Sequence, residues 1–241
     1  MQRSKYMETL KGGYAVSFEI SPIWREAFSL AWDAFCRGSV PVGCVVVDGE
    51  DRILARGQNA IYDDEIRTPL AGTNLAHAEM VALSKLRNSE HNPRLYTLYT
   101  TLEPCPMCFG AIAMMGIKQV RYAARDAMAG SAALTAATPY LRSKGIHLEW
   151  EDSPLEVFQI ALATAFELNR KHPKQQQLLE LWESDCPVGV HVGTALYQRG
   201  DFHTAVRERW EFEQVFARVM TNSANVREIG RGGGLYEDSA F

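Results

Sequence analysis

An alternation of short strand-like runs with helix-length stretches most constrains what this chain can fold into. "GCVVVDGEDRILARG" reads as a hairpin, with Cys44 to Val47 a buried strand, Asp48 to Asp51 the turn and Ile53 to Arg56 the return. Three further strands follow, "LYTLYTTL", "QVRYAA" and "IHLEW". Helical patterns run between and after them, over about Ala76 to Arg87, Cys105 to Met115, near Leu134 to Leu141, and Pro154 to Arg170. An earlier helix opens at Ser21-Pro22, a cap residue followed by a first-turn proline. Ile23, Ala27, Leu30, Ala31, Ala34 and Phe35 keep helical spacing there, Cys36 joins that stripe as a packing residue, and Gly38 closes it. This order argues for an α/β fold whose sheet is covered on both faces, with parallel pairing after the hairpin.

Composition sets limits on function. At 241 residues, 46% hydrophobic and 22% charged, the chain suits one good-sized core with an appendage. No run of about twenty apolar residues is present, so no membrane span is expected. The first twenty residues lack a continuous apolar core, so no signal peptide is expected either. Five cysteines, two of them in a C-x-x-C pair, do not form a disulfide framework and imply a reducing, cytoplasmic location. A net charge of −4 weighs against nucleic acid as partner, because phosphate neutralisation supplies most of that affinity.

Two stretches carry chemistry. In "TTLEPCPMCFGAI", Cys105 and Cys108 lie three apart at a helix start, so both sulfurs can point to one spot. Pro106 suits the first turn, and a helix N-terminus favours thiolates. In "NLAHAEMVAL", His77 and Glu79 lie two apart, a spacing that works only where a helix begins. Two cysteines and a histidine leave one position open, the arrangement of a catalytic zinc rather than a structural one. Glu79 then has the task of taking a water proton and passing it to a leaving nitrogen. Cys44 sits in the first strand as a small core residue.

H-A-E followed by P-C-x-x-C resembles the cytidine-deaminase-like zinc hydrolases. "VPVGCVVV", "GQNAI", "AHAEMVAL", "LYTTLEPCPMCFGAI" and "ARDAMAGSA" are similar to the branch of guanine deaminases and tRNA adenosine deaminases. The resemblance implies a three-layer α/β/α sandwich around a five-stranded mixed sheet, with Zn2+ on His77, Cys105 and Cys108 and Glu79 as proton shuttle. It implies substrate contacts at Asn59, the backbone of Ala78, and Pro104. It also implies a homodimer, with "CFGAIAMMGI" open as interface helix or core, and Phe109 open as pocket wall or dimer face.

The expected reaction is attack of a zinc-bound hydroxide on an amidine carbon with release of ammonia. A small nucleobase or nucleoside is the favoured substrate, a purine such as guanine, guanosine or adenosine. A tRNA-specific adenosine deaminase is the alternative, drawing on Arg170, Lys171 and Lys174 at a helix end. Cytosine, cytidine or a specialised heterocycle stays open, as does a deaminase working in a complex.

The deaminase domain is placed at residues 1–172 and a helical extension at 173–241, because the texture changes at "KHPKQQQ", open as a hinge or as the fraying end of a helix. Gln177 to Glu183 is a short helix candidate. Beyond it lie two helices broken at Gly200-Asp201, with Asp201 as cap and an apolar stripe on the second over Val206, Phe212, Val215, Phe216, Val219 and Met220. That hairpin is open as a partner-docking module, which burial of the stripe would remove. The glycine-rich tail reads as mobile, or as a lid through Tyr236 or Phe241.

Overall fold

The computed structural model describes residues 20–151 and 154–232, with side chains described as far as 224. In chain order the elements are α1 Pro22–Cys36, β1 Gly43–Val47, β2 Ile53–Gln58, α2 Ala78–Leu83, β3 Thr97–Leu102, α3 Pro106–Met115 and β4 Gln119–Ala124. They continue with α4 Pro139–Lys144, β5 His147–Trp150, α5 Pro154–Arg170, α6 Gln175–Asp185, α7 Pro187–Gln198, α8 Asp201–Arg207 and α9 Phe212–Gly232.

The five strands form one mixed sheet in the order β2-β1-β3-β4-β5. β1 pairs antiparallel with both β2 and β3, and β3, β4 and β5 pair in parallel. Because β1 alone is reversed, β2 and β3 end at the same edge of the sheet. The helices that follow them, α2 and α3, therefore both start there. In open α/β sheets the carboxyl ends of the strands are where sites form.

Strand alternation divides the core. Cys44, Val46, Leu98 and Val120 face α2 and α3, while Val45, Val47 and Tyr99 face α1 and α5. Residues 155–167 of α5 are all buried, mostly apolar but with Glu156, Gln159, Thr164 and Glu167 among them. Its outer face is covered by α7, which comes in close because a Cβ at Gly193 would lie 2.6 Å from the Ala161 carbonyl oxygen. Phe158 meets Phe28 at 5.5 Å, Phe212 at 5.5 Å and Phe216 at 5.2 Å between ring centroids. Phe212, Val215, Phe216, Val219 and Met220 are buried and Val206 is half-buried, so the stripe left open as a docking face packs inward.

Several expectations need correction. α2 is shorter than Ala76 to Arg87: Ser84 Oγ donates to the Val81 carbonyl, and the N–H groups of Lys85 and Leu86 turn to carbonyls three residues back. The stretch Leu134 to Leu141 is divided into a 3₁₀ turn, Ala132–Ala136, and α4, because Thr138 Oγ1 caps Leu141 N–H at 3.1 Å. Gly200, at φ 76°, caps α8, so Asp201 lies inside the helix and binds Arg199 and Arg218 instead. The helix expected to run from there through Met220 breaks at Arg209, φ 55°, where Trp32 Nε1 donates to the Trp210 carbonyl at 2.7 Å. Cys36 is exposed and not part of the packed stripe. α9 runs through Gly232, into the glycine-rich stretch; Tyr236 and Phe241 lie outside the described residues.

Candidate metal centre and its surroundings

His77 and Cys105 occupy matching places. Each is the residue just before its helix, α2 or α3, with extended backbone (φ −68°, ψ 151° and φ −71°, ψ 168°). Neither side chain makes a capping bond, which leaves both for another ligand. Cys108, one turn into α3, completes the set, and the three ligating atoms lie within 4.8 Å of one another. Pro106 takes the first position of α3, where a missing N–H costs nothing. Two thiols and an imidazole converging from two helix starts are the donor set a zinc ion takes. With His77 before α2 and Glu79 in its first turn, the two face one point despite their spacing.

Electrostatics follow from this closeness. Cys105 Sγ is 3.6 Å from His77 Nδ1. Its thiol is drawn down to about 4, first by hydrogen bonding with Cys108 and then by His77. His77 is raised by that contact with Cys105. Cys108, fully buried, is pushed up by the same sharing with Cys105 and by burial. Glu79 is 3% exposed and burial holds its carboxyl above the ordinary range. Thr100 Oγ1 donates to Glu79 Oε1 at 3.3 Å, and the Cys108 thiol donates to Oε2 at 3.4 Å.

α2 can sit low on the sheet only because β2 carries a glycine. A Cβ at Gly57 would lie 2.0 Å from the Ala78 carbonyl oxygen and 2.5 Å from the Ala82 nitrogen. Gly57→Ala is expected to lift the start of α2 with His77 on it, weakening zinc binding by about 10–100-fold, as changes that displace a metal ligand's support do. Competition with a colorimetric chelator reads this; unchanged affinity would show that Gly57 does not set the position of His77.

Asn59 is buried, its backbone N–H donates to the Val42 carbonyl at 2.9 Å, and its Oδ1 accepts from Ser39 Oγ at 2.8 Å and Ile61 N–H at 3.1 Å. Both bonds hold the side-chain oxygen. Ala78 and Pro104 are buried beside the metal ligands, and the Pro104 carbonyl accepts from Ser131 Oγ at 2.5 Å. Phe109 is 1% exposed within the single chain.

Sequence reasoning missed Thr100, Ser39 and Ser131, which orient these residues. A signal for Thr100 was present, since it stands between Leu98 and Leu102 on the apolar face of β3. Ser131 and Glu103 together pin the "ARDAMAGSA" loop: Glu103 accepts from the N–H groups of Asp126 (3.3 Å) and Ala132 (2.9 Å).

Residues 19–124 match the family described as "Cytidine and deoxycytidylate deaminase zinc-binding region". A tRNA-specific adenosine deaminase of Rickettsia bellii is 37% identical over 110 residues, which are 44% of this chain and 71% of that relative. The chain belongs to this zinc-binding deaminase family. His77, Cys105 and Cys108 are positioned to bind the metal, which in this family is zinc. A tRNA-specific adenosine deaminase 2 of Xenopus laevis is 34% identical over 119 residues, covering 46% of this chain and 63% of the relative. Among solved structures, a guanine deaminase from Bacillus subtilis is 34% identical, covering 43% of this chain and 63% of that one, with a TM-score of 0.37. The chain thus spans somewhat under two thirds of the Xenopus laevis relative. No helix among the described residues is long and apolar enough to cross a membrane.

Proposed function

We propose that this protein is a zinc-dependent hydrolytic deaminase of a purine nucleobase or nucleoside. The observation that carries the reading is the meeting of His77, Cys105 and Cys108 within 4.8 Å, with the buried Glu79 carboxyl 3.4 Å from Cys108 Sγ. Bound zinc supplies Lewis acidity, bringing the pKa of water to ~7. Glu79 holds and passes the proton. Its Oε1 stays with Thr100 and its Oε2 carries the proton to the leaving nitrogen, so that ammonia departs. Asn59 Nδ2 donates to an acceptor on the base, the Ala78 backbone lines the ring, and Pro104 closes the wall beside Cys105.

The net charge of −4 supports a small substrate. So does Arg170, which is engaged within the chain, stacking over Tyr62 and Phe166 and pairing with Glu167 at 3.3 Å. A second reading, a tRNA adenosine as substrate, is favoured by the two tRNA-specific relatives. Residues 1–172 would form the deaminase portion and 173–241 its helical extension. A homodimer through α3 is part of the same reading, since Met114 on that helix is 70% exposed; the mass in solution tests it.

Ammonia release by the zinc-loaded protein, measured over guanine, guanosine, adenine, adenosine, cytosine, cytidine and an adenosine-bearing tRNA anticodon stem, decides among substrates. Turnover of the tRNA alone would replace the first reading by the second, and no ammonia from any of them would sink both. Asn59→Ala is expected to cut kcat/KM by about 10–100-fold through a lost buried hydrogen bond, with zinc content unchanged. Undiminished kcat/KM would remove Asn59 from the substrate contacts.

A further inference from the structure

The connection from β2 to α2 joins two residues of the site, running from Asn59 to His77. Its ends are held side by side, since Ala60 N–H donates to the Ala76 carbonyl and Gly72 N–H to the Ala60 carbonyl, both at 2.9 Å. A closed surface loop of this length is ordered by its side chains rather than by a backbone ladder.

Two arginines from other elements reach the first half of the loop. Arg37, just past α1, approaches Asp63 at 3.9 Å and Glu65 at 3.7 Å, distances at which a surface ion pair contributes little. The closer tie comes from the end of α5. The Arg170 guanidinium lies over the Tyr62 ring at 4.9 Å and over Phe166 at 5.5 Å, and the two rings stack at 6.4 Å. Glu167, one turn back, holds the same guanidinium at 3.3 Å. Phe166 and Glu167 also line the cleft beside the metal centre, together with Val42 and Leu102.

A buried serine connects this stack to Asn59. Tyr62 N–H donates to Ser39 Oγ at 3.3 Å, and Ser39 Oγ donates to Asn59 Oδ1 at 2.8 Å. Ile61 N–H, beside Tyr62 in the chain, donates to the same oxygen at 3.1 Å. Ser39 is 0% and Asn59 2% exposed, so water does not stand in for either bond. A hydroxyl has one hydrogen, and the donation from Tyr62 leaves that hydrogen for Asn59. Whatever holds Tyr62 in place therefore fixes the Asn59 amide.

We propose that Arg170 and Tyr62 are positioning residues for substrate binding, acting on Asn59 through Ser39. The inference rests on the reading of Asn59 as a substrate contact. It gives Arg170 an internal task, in place of contact with a tRNA phosphate.

The test is steady-state ammonia release by the zinc-loaded protein from guanine, guanosine, adenosine and the adenosine-bearing tRNA anticodon stem, with amide hydrogen exchange on the same preparations. Arg170→Ala and Tyr62→Ala are each expected to raise KM about 2–5-fold, the worth of one partly exposed cation–π contact, with kcat and zinc content unchanged. The double variant is expected to do no more than either single one, because both remove the same stack. Arg170→Lys keeps the charge but not the plane and is expected to follow Arg170→Ala, while Tyr62→Phe keeps the ring and is expected to restore the wild-type KM. Exchange at the Ile61 and Tyr62 amides is expected to quicken by a similar factor in both alanine variants. Unchanged KM and unchanged exchange in both would overturn the proposal. So would a KM effect of Arg170→Ala that is confined to the tRNA stem, fades with added salt and is absent from Tyr62→Ala, since Arg170 would then be a phosphate contact. Failure of the underlying reading looks different: Asn59→Ala would leave kcat/KM undiminished although exchange at Ile61 and Tyr62 quickens in the alanine variants, and the positioning role would fall with it.

Discussion

Glu79→Gln is expected to lower turnover by about 10²–10⁴-fold, the usual worth of a general acid–base group, while the fold and the zinc content hold. The substitution keeps shape and hydrogen bonding: the new amide oxygen can still accept from Thr100 Oγ1, which now reaches Oε1 at 3.3 Å. What it removes is the proton. Burial already pushes the Glu79 carboxyl above its ordinary range. An ionisable group that is only 3% exposed also costs stability, so the glutamine variant is expected to melt no lower than the wild type. Ammonia release, zinc analysis and a thermal scan on the same preparation check this. Turnover within tenfold of wild type would end the shuttle assignment. Loss of zinc together with turnover would instead make Glu79 a support for Cys108, which donates to it at 3.4 Å.

Cys105→Ala is expected to lose zinc and much stability. Cys105 stands at the start of α3 and His77 at the start of α2, so a metal held between them ties two helices that approach the sheet from separate loops. At a zinc concentration 100 to 1,000 times its Kd, that linkage is worth about 2.7–4.1 kcal/mol. For a chain of this length each kilocalorie moves Tm by about 2–4 °C, so the variant should melt roughly 5–15 °C lower. The hydrophobic clusters on both sheet faces are independent of the metal, so the variant is expected to fold. The decisive comparison is wild type after removal of zinc by a chelator: it should melt where Cys105→Ala melts, and the chelator should not move the variant. Normal zinc content in the variant would count against the three-residue set.

The strand and helix alternation was legible because it is a local property. The hairpin, the three later strands and α1, α3 and α5 all lie close to where periodicity and caps place them. Serine-proline at 21 and 22 worked as read. The same kind of signal, Thr138-Pro139, also marks the start of α4, inside the stretch Leu134 to Leu141. The break at Arg209 has no such signal. No glycine or proline stands there, and the turn is held by Trp32, which is far away in sequence.

For the site, residue types and spacing alone were enough to name His77, Glu79, Cys105 and Cys108, since few chemistries ask for H-x-E with C-x-x-C at helix starts. Zinc ligands announce themselves because coordination restricts both element and geometry. Whether they meet is a different matter, decided by the reversed β1, which brings the ends of β2 and β3 to one edge, and by Gly57, which lets α2 sit down on the sheet. The partners Thr100, Ser39 and Ser131 belong to the tertiary structure in the same way, because a hydroxyl is a common residue and only its neighbour gives it a task. The largest gap between the two levels lies in α5. Its sequence places a helix at Pro154 to Arg170, but only packing against α7 and α9 shows which of its faces are buried and by what. Local patterns determine which faces must leave water; which surfaces meet there is decided by contacts between residues far apart in the chain, which no window of sequence contains.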